Sequence, residues 1–315
     1  MDEHRFDGRV AVVTGAGRGI GRAYARLLGD LGARVVVNDL GVSTGGDGAD
    51  AHPASRVADE IVAAGGAAMA DTSDVASEAG AQALVDAAVE QYGRLDVLVN
   101  NAGIIRWAGM PDVDGDNLAR HLAVHVGGSF NTTRAAWPHL VEQGYGRIVM
   151  TTSAGVFGLA TNTSYATAKG AVIGLTRSVA LAGAAHGIKV NLIAPAALTR
   201  MAGPRAEVEE AQAAPGSGAA AMSPDLVAPM VAFLAHEDCP VSGEIYAAGA
   251  GRFARVFIAS TPGYVHPTPA PTIGDVARNW AAINDETGYY VPTDLMAWSA
   301  AFMAHLPPAG ADPTE

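Results

Sequence analysis

The sequence predicts an α/β protein with a doubly wound parallel sheet and helices on both of its faces. Short β-branched runs alternate with stretches of helical periodicity from the start, as in "RVAVVTG" (9–15), "IGRAYARLLGDLG" (20–32) and "ARVVVNDL" (33–40). The run "LDVLVNNAG" (95–103) is continuously apolar up to its amides, which is typical of a strand covered on both faces. Repeated strand–helix–strand units indicate a parallel sheet.

The alternation continues to residue 249. Helical spacing predicts two helices before the strand at 95–103 and one long helix directly after it. In chain order the further predicted elements are helices at 54–66 and 78–93, a helix around 114–142, a strand at 147–152, a helix at 163–186, and strands at 188–195 and 243–249.

Two stretches interrupt this pattern. Residues 202–223 are rich in Ala, Gly, Pro and Ser and have weak periodicity, which predicts a mobile lid over a substrate or a partly disordered loop. Residues 251–315 predict an extension packed on the core or on a partner subunit. This extension is rich in proline and contains "IGDVARNWAAINDE" (273–286), which predicts one further helix.

Composition excludes several classes of protein. Hydrophobic residues make up 49% and charged residues 17% of the chain, and no apolar run reaches the roughly 18 residues of a membrane helix. The single cysteine, Cys239, excludes an intramolecular disulfide and a cysteine-based metal cluster, so we expect no metal. The net charge of -12 disfavours nucleic acid as a partner. The polar start "MDEHRFDGRV" and the end "GADPTE" carry no secretory or peroxisomal signal, so we expect a cytoplasmic protein.

A glycine-rich turn follows the first predicted strand. "TGAGRGIG" (14–21) opens the first helix, where free backbone N–H groups and the helix dipole favour a pyrophosphate. The glycines permit a tight turn and a close approach of backbone to ligand, although their spacing differs from the common dinucleotide fingerprint. We expect five residues of this turn to contact a dinucleotide: Gly15, Arg18, Gly19, Ile20 and Gly21.

An acidic residue ends the second predicted strand. Asp39 lies about 20 residues beyond the glycines, where a carboxylate accepts hydrogen bonds from the adenosine ribose and repels a 2′-phosphate. This favours NAD over NADP, although Arg18 can attract that phosphate. The alternative for Asp39 is a solvated residue at a strand end. Asp74 and Val75 follow a third strand, expected between the helices at 54–66 and 78–93, and are expected to flank the adenine.

A tyrosine and a lysine lie four residues apart in "SYATAK" (164–169). On a helix this spacing places Tyr165 and Lys169 on one face. A phenol with a pKa of about 10 is a poor base at neutral pH, and a nearby cation stabilises its phenolate. Taken alone, the pair also fits an ordinary surface contact.

These motifs, together with "NNAG" (100–103) and "NLIAP" (191–195), resemble the short-chain dehydrogenase/reductase family over about residues 5–250. The resemblance implies a Rossmann-type fold, with residues 1–250 as an NAD-binding and catalytic domain that transfers hydride. It implies that Tyr165 exchanges a proton with the substrate oxygen and that Lys169 binds the nicotinamide ribose and lowers the tyrosine pKa. Further implied cofactor contacts are Asn101, Ala102, Gly103, Pro195 and Thr199.

Two positions depart from the family pattern. A serine orients the substrate oxygen in the family, and both Thr152 and Ser153 fall near that position; we predict Ser153. In "LAVHVGGSF" (122–130), His125 stands where many members carry an asparagine that anchors a proton-relay water. His125 either holds water or shuttles protons near neutral pH, or it is a histidine satisfied within the core.

Longer stretches, including "GGSFNTTRAAWPHL" (127–140), resemble the (3R)-hydroxyacyl-CoA dehydrogenases of the family. This implies oxidation of a 3-hydroxyacyl-CoA, with Met201 and Met222 of the lid against the acyl group. The alternatives are a dehydrogenase of a free hydroxysteroid, terpene or other bulky alcohol, and a non-catalytic NAD-binding protein. The cations available to an anionic CoA are few: Arg106, Arg252 and Arg255. The family also implies a homodimer or homotetramer.

Overall fold

The protein contains one sheet of eight strands. The computed structural model describes residues 4–202, 220–268 and 270–306. The strand order is β3-β2-β1-β4-β5-β6-β7-β8, and all pairs from β3 to β7 are parallel. The strands are β1 Val10–Thr14, β2 Arg34–Asn38, β3 Ala67–Asp71, β4 Val97–Asn100, β5 Gly146–Thr151, β6 Ile188–Pro195, β7 Ile245–Gly249 and β8 Arg252–Val256. The predicted doubly wound parallel sheet is confirmed, and β8 extends it by a strand that the sequence pattern did not predict.

Seven α-helices accompany the sheet within the described residues up to β8. They are α1 Gly19–Asp30, α2 His52–Ala63, α3 Glu78–Tyr92, α4 Gly115–His121, α5 Gly128–Gln143, α6 Thr163–Gly183 and α7 Ala228–Ala235. A π-helical turn, Leu122–Gly127, joins α4 to α5, so the long helix predicted around 114–142 has a wider turn in its middle. Such turns are rare and frequently occur at functional sites.

The chain forms two compact units, Met1–Arg255 and Val256–Glu315. The second unit contains α8 Ile273–Arg278, α9 Trp280–Ile283 and α10 Leu295–Phe302. The prediction of one helix over 273–286 was wrong, because the backbone leaves the helical region at Asn279. The Asn279 side chain donates to the carbonyl oxygen of Asp275 at 2.8 Å, a local hydrogen bond that competes with a continuous helix.

The first unit buries its strands on both faces. Val10, Val12, Val36 and Leu98 have no exposed surface, as expected for central strands of a parallel sheet. Since these strands are parallel, the segments that follow their carboxyl ends meet at one edge. The strand order reverses between β1 and β4, and such a reversal opens a crevice at that edge.

The segment at 202–223 is described only at its ends. Residues 203–219, where the lid is predicted, lie outside the described residues. The amide of Leu198, which precedes the segment, donates to the carbonyl oxygen of Met222 at 2.8 Å, so the carboxyl end of the segment lies beside residues that precede it. None of the helices within the described residues combines the length and apolar character that crossing a membrane requires.

Candidate active site

The glycine turn connects β1 to α1 at the point where the strand order reverses. A Cβ at Gly21 would lie 2.2 Å from the carbonyl oxygen of Gly15, so only glycine allows α1 to begin this close to the strand. The Asn101 side-chain amide donates to the carbonyl oxygens of Thr14 at 3.0 Å and of Gly15 at 3.1 Å. The Thr14 hydroxyl in turn accepts the amides of Asn101 and Ala102. Asn101 and Ala102 therefore fix the turn against the end of β4.

Asp39 is directed at the glycine turn. Its Oδ2 accepts the Gly17 amide at 2.8 Å, its Oδ1 accepts the Gly41 amide at 2.7 Å, and the residue is only 8% exposed. The alternative of a solvated residue at a strand end does not describe this arrangement. The carboxylate is held in one orientation and keeps oxygen lone pairs for hydroxyl donors.

One cleft brings most of the predicted cofactor residues together. Its lining includes Gly15, Arg18, Gly19, Ile20, Gly21, Asp39, Asp74, Val75, Asn101, Ala102, Gly103 and Thr199. Three further residues predicted to contact the cofactor do not line this cleft: Pro195, which ends β6, and Tyr165 and Lys169. The turn at the start of α1, the buried carboxylate and the apolar wall at Val75 fit the phosphates, ribose and adenine of a dinucleotide.

A segment that sequence reasoning missed bounds the same cleft. Residues 41–50, here called the β2 strap, reach from the end of β2 to the loop after β4. Ile105 donates its amide to Thr44 O at 2.8 Å, and the Arg106 guanidinium donates to Gly45 O at 2.6 Å and to Asp47 at 2.8 Å. The cleft lining that sequence reasoning did not predict comprises Asn38, Leu40, Val42, Gly46, Ser73, Ala76, Ile104, Val124 and Arg200. Met201, predicted to lie against the acyl group, also lines this cleft. The glycines of the β2 strap were the feature of the sequence from which this segment could have been predicted.

Tyr165 and Lys169 lie in the first two turns of α6. Asn162 caps this helix, and its Oδ1 accepts the Tyr165 amide at 3.1 Å. The Lys169 ammonium donates to Thr151 O at 2.8 Å and lies 5.6 Å from the centroid of the Tyr165 ring. Lys169 is 3% exposed, so the pair is not an ordinary surface contact.

Burial dominates the ionisation of both groups. It lowers the pKa of Lys169 to about 7, because the charged ammonium loses its hydration. Burial also raises the pKa of Tyr165, and a hydrogen bond with the Ser153 side chain opposes that rise. The net direction of the Tyr165 pKa is therefore upward, opposite to the lowering that the family resemblance implies.

The two candidate hydroxyls have different partners. The Thr152 hydroxyl donates to Lys169 O at 2.9 Å, which ties β5 to the backbone of α6. The Ser153 hydroxyl accepts the Gly155 amide at 3.0 Å and interacts with the Tyr165 side chain. Of the two, Ser153 is thus the hydroxyl placed beside the phenol.

His125 lies against the same tyrosine. Its ring is 1% exposed and meets the Tyr165 ring edge-on, with the centroids 5.5 Å apart. Burial and the nearby Lys169 charge hold the pKa of His125 well below its usual range, despite a hydrogen bond with Ile104. Direct proton shuttling near neutral pH requires a higher pKa, so the structure opposes that hypothesis.

Two of the three arginines considered as binding partners for a CoA group are paired with acidic residues. Arg106 pairs with Asp47 at 2.8 Å and approaches Asp116 at 3.6 Å. Arg255 makes two hydrogen bonds with Glu244, at 2.8 and 3.0 Å. Arg252, at the start of β8, is exposed.

Three possible metal ligands lie close together elsewhere. Atoms of His4, His236 and Asp238 lie within 4.8 Å of one another. The amide of Asp238 donates to His236 Nδ1 at 3.2 Å, and His236 Nε2 lies 3.2 Å from Arg5 O. Backbone partners therefore occupy both ring nitrogens of His236, and the absence of a metal stays a prediction.

Comparison with known proteins decides the family. A model of the short chain dehydrogenase family matches residues 9–210. The chain belongs to the short-chain dehydrogenase family. As a short-chain dehydrogenase it is an oxidoreductase, and members of the family bind NAD or NADP.

This short-chain dehydrogenase has similar relatives of two kinds. It is 40% identical to the putative short-chain type dehydrogenase/reductase Rv0148 of Mycobacterium tuberculosis, over 89% of this chain and 95% of that protein. It is 41% identical to peroxisomal multifunctional enzyme type 2 of Drosophila melanogaster, over 89% of this chain but 46% of that enzyme. The predicted resemblance to the short-chain dehydrogenase/reductase family is confirmed, and the chain spans less than half of the fly enzyme.

A solved structure of the same family contains a cofactor and a steroid. It is 7α-hydroxysteroid dehydrogenase complexed with NADH and 7-oxo glycochenodeoxycholic acid. Its identity to this chain is 33% with a TM-score of 0.67, over 78% of this chain and 95% of that one.

Proposed function

We propose that this short-chain dehydrogenase uses NAD to interconvert a secondary alcohol and a ketone, with a 3-hydroxyacyl-CoA as the substrate. The observation that carries the proposal is the arrangement of Ser153, Tyr165 and Lys169 at the carboxyl edge of the sheet. The Ser153 side chain lies beside the part-buried Tyr165 phenol, and the Lys169 ammonium lies 5.6 Å from the centroid of the phenol ring. This arrangement of a hydroxyl, a phenol and an ammonium suits general acid–base catalysis, in which a proton moves to or from a bound oxygen.

In the oxidative direction Tyr165 acts as the base for the substrate hydroxyl. Ser153 holds the substrate oxygen, and Lys169 stabilises the phenolate that must form before the proton is accepted. A bound nicotinamide supplies the acceptor for the hydride from the carbinol carbon. Burial lowers the pKa of Lys169 to about 7, which disfavours the charged ammonium. Contacts with an anionic or hydroxyl-bearing ligand favour that charged form.

The preference for NAD rests on Asp39. Backbone amides hold its carboxylate beside the glycine turn, where a 2′-phosphate would meet a buried negative charge. Arg18 and Arg200 both reach Val42 O, at 3.5 and 3.4 Å, and are the cations that would favour a phosphate there. The solved relative with NADH supports the proposal for NAD.

The substrate class has two candidates. The likeness to peroxisomal multifunctional enzyme type 2 and to a peroxisomal hydratase-dehydrogenase-epimerase favours a 3-hydroxyacyl-CoA. The pairing of Arg106 and Arg255 with acidic residues favours an uncharged bulky alcohol instead, as does the likeness to a hydroxysteroid dehydrogenase. A non-catalytic NAD-binding protein would have no need for a buried lysine beside a phenol.

We also propose that the enzyme is a homodimer or homotetramer that associates through α5 and α6. Phe130 on α5 is 48% exposed, and Leu181 on α6 is 54% exposed. Apolar side chains of this size on the two long helices support association through them. Light scattering coupled to size exclusion should give a mass at least twice 32.0 kDa.

The deciding experiment measures NADH formation from NAD with 3-hydroxyacyl-CoAs, the corresponding free hydroxy acids and hydroxysteroids. Tyr165→Phe keeps the ring but removes the proton acceptor, so it should bind NADH and lose at least about a thousandfold in kcat. Turnover of the thioesters alone supports the first candidate, and turnover of free alcohols alone replaces it with the second. NADH binding without turnover of any compound would contradict both.

A further inference from the structure

Four arginines lie on one side of the glycine turn. Arg18, Arg22 and Arg26 are spaced four residues apart at the start of α1 and along it, so their side chains follow one face of the helix. Arg56, on the neighbouring α2, donates to Gly17 O in the turn at 3.4 Å. These four residues are here called the arginine stripe. The stripe therefore begins where the phosphates of a dinucleotide are expected to bind.

Three members of the stripe share one carboxylate. Glu60 of α2 pairs closely with Arg22, whose Nη2 lies 2.8 Å from Glu60 Oε2. The Nε atoms of Arg26 and Arg56 each lie 3.9 Å from an oxygen of the same carboxylate. One carboxylate carries one negative charge, so it cannot neutralise three guanidinium groups. The shared pairing therefore leaves positive charge on this side of the cleft.

The other charges at the turn do not cancel this excess. Arg18 donates to Val42 O at 3.5 Å, and a carbonyl oxygen carries no formal charge. Asp39 is the carboxylate that contacts the turn, through the Gly17 amide. Four guanidinium groups thus lie beside two carboxylates, those of Asp39 and Glu60. The positive end of the α1 dipole adds to the excess, and the first turn of α1 contains no acidic side chain.

This local excess contrasts with the charge of the whole chain. The net charge is -12, so the surface as a whole repels an anionic ligand such as a dinucleotide with its pyrophosphate. A field of opposite sign beside a cleft raises the rate at which such a ligand reaches the cleft. The side chains of Arg26 and Arg56 are 47% and 49% exposed and do not line the cleft, so they act on a ligand that is still in solvent.

We propose that the arginine stripe attracts the anionic dinucleotide to the cleft and thereby sets the rate of cofactor association. The inference rests on the proposed function, because it takes the cofactor to be NAD or NADH. Arg18 lines the cleft, whereas Arg26 acts through its charge from outside it. The charge of Arg26 should therefore affect association and leave dissociation and the chemical step unchanged. Salt should abolish the effect, since the screening length falls from about 20 Å at 20 mM salt to about 6 Å at 300 mM salt.

Reversal of one charge tests the proposal by stopped-flow fluorescence of NADH. Arg26→Glu should lower the association rate about threefold at 20 mM salt and by less than about 1.5-fold at 300 mM salt. Glu60→Gln removes the shared carboxylate and should raise the association rate about twofold at 20 mM salt. Arg5→Glu is the control for the same change in charge, because Arg5 is exposed and precedes β1, at the opposite ends of the strands from the cleft. Its association rates should match those of the wild type.

The outcomes separate this inference from the proposed function. A slower association confined to low salt, with unchanged dissociation and unchanged kcat at saturating NAD, is the expected result for Arg26→Glu. An unchanged association rate at 20 mM salt, or a loss of equal size at both salt concentrations, would overturn the inference. NADH binding requires no substrate, so the rates still decide the inference if the wild type oxidises no tested alcohol, a result that refutes the proposed function alone. Failure of the wild type to bind NADH would refute both.

Discussion

Lys169 is the residue at which function and stability conflict most directly. Its ammonium is 3% exposed and has one carbonyl oxygen as its hydrogen-bond acceptor. Burial shifts its pKa from the ordinary 10.5 to about 7. A protein selected for stability alone would place an apolar side chain here.

Replacement of Lys169 should therefore stabilise the fold at neutral pH. Between pH 7 and 10.5 the unfolded chain binds more protons at this group than the folded chain, so the destabilisation is complete below about pH 7 and fades as the pH rises to 10.5. We expect Lys169→Met to raise the free energy of unfolding by about 3 kcal/mol at pH 7. This net value already includes the loss of the hydrogen bond to Thr151.

Urea unfolding at pH 7 and pH 10 measures this directly. The advantage of Lys169→Met over the wild type should shrink at the higher pH. Lys189→Met is the control, because Lys189 is part-buried and lies on β6 rather than beside Tyr165. An equal gain in the free energy of unfolding at both pH values would contradict the assignment of Lys169 as a buried lysine with a lowered pKa.

At the scale of elements, the β2 strap controls one side of the cofactor cleft. It is attached to the loop after β4 by the Thr44, Gly45 and Asp47 hydrogen bonds described above. Arg120 adds a weaker contact to Asp47 at 3.3 Å. Since Val42 and Gly46 of the strap line the cleft, a dinucleotide in the cleft would lie against it.

Loosening the strap should speed cofactor release. Asp47→Asn weakens the contact with Arg106 while leaving the backbone hydrogen bonds of the strap in place, so we expect NADH to dissociate about three to ten times faster. Stopped-flow displacement of NADH measures the rate. Asp116→Asn, which weakens the pairing of Arg106 and Arg120 outside the strap, should change the rate by less than twofold. Equal rates in all three proteins would refute a gating role.

At the scale of the whole molecule, the two ends of the strands have different roles. The candidate active site lies at their carboxyl ends, and a buried charge cluster that supports the fold lies at their amino ends. At the amino ends of the strands, Asp96 is fully buried and accepts hydrogen bonds from Arg9, Arg94 and the Val10 amide. Arg9 also donates a hydrogen bond at 2.8 Å to the carboxylate of Glu237, which follows α7 in the chain. One carboxylate thus ties β1, β4 and the segment after α7 together, far along the strands from the cleft.

Loss of that charge should separate stability from binding. Asp96→Asn leaves two guanidinium groups without a buried counter-charge, and we expect a loss of about 3 kcal/mol in the free energy of unfolding. NADH affinity should stay within about twofold, because the cleft lies at the opposite ends of the strands. Urea unfolding and NADH titration test the two parts. Asp7→Asn, in the exposed pair with Arg5, should leave the free energy of unfolding nearly unchanged, because an exposed ion pair is screened by solvent. A similarly small loss for Asp96→Asn would contradict this account.

Local patterns account for the part of the protein that could be predicted. Strand and helix order follow from hydrophobic period, and the glycine turn, Asp39 and the Tyr165–Lys169 spacing each lie within one strand–helix connection or one helix. Because parallel strands present their carboxyl ends at one edge, the glycine turn and Asp39 had to meet, and 12 of the predicted cofactor contacts line one cleft. The assignment of the family depends on the same motifs.

Contacts between distant segments decided the rest. The choice between Thr152 and Ser153 depends on a hydrogen bond from Thr152 to a carbonyl 17 residues away in α6. The neutrality of His125 depends on burial and on Lys169, and the engagement of Arg106 depends on Asp47, 59 residues earlier. The sequence by itself determined the order of the strands up to β7 and the place of the cleft, since period and turn chemistry act over a few residues. Only the tertiary structure decided which polar group has a partner, because desolvation and hydrogen bonding depend on what the fold brings together.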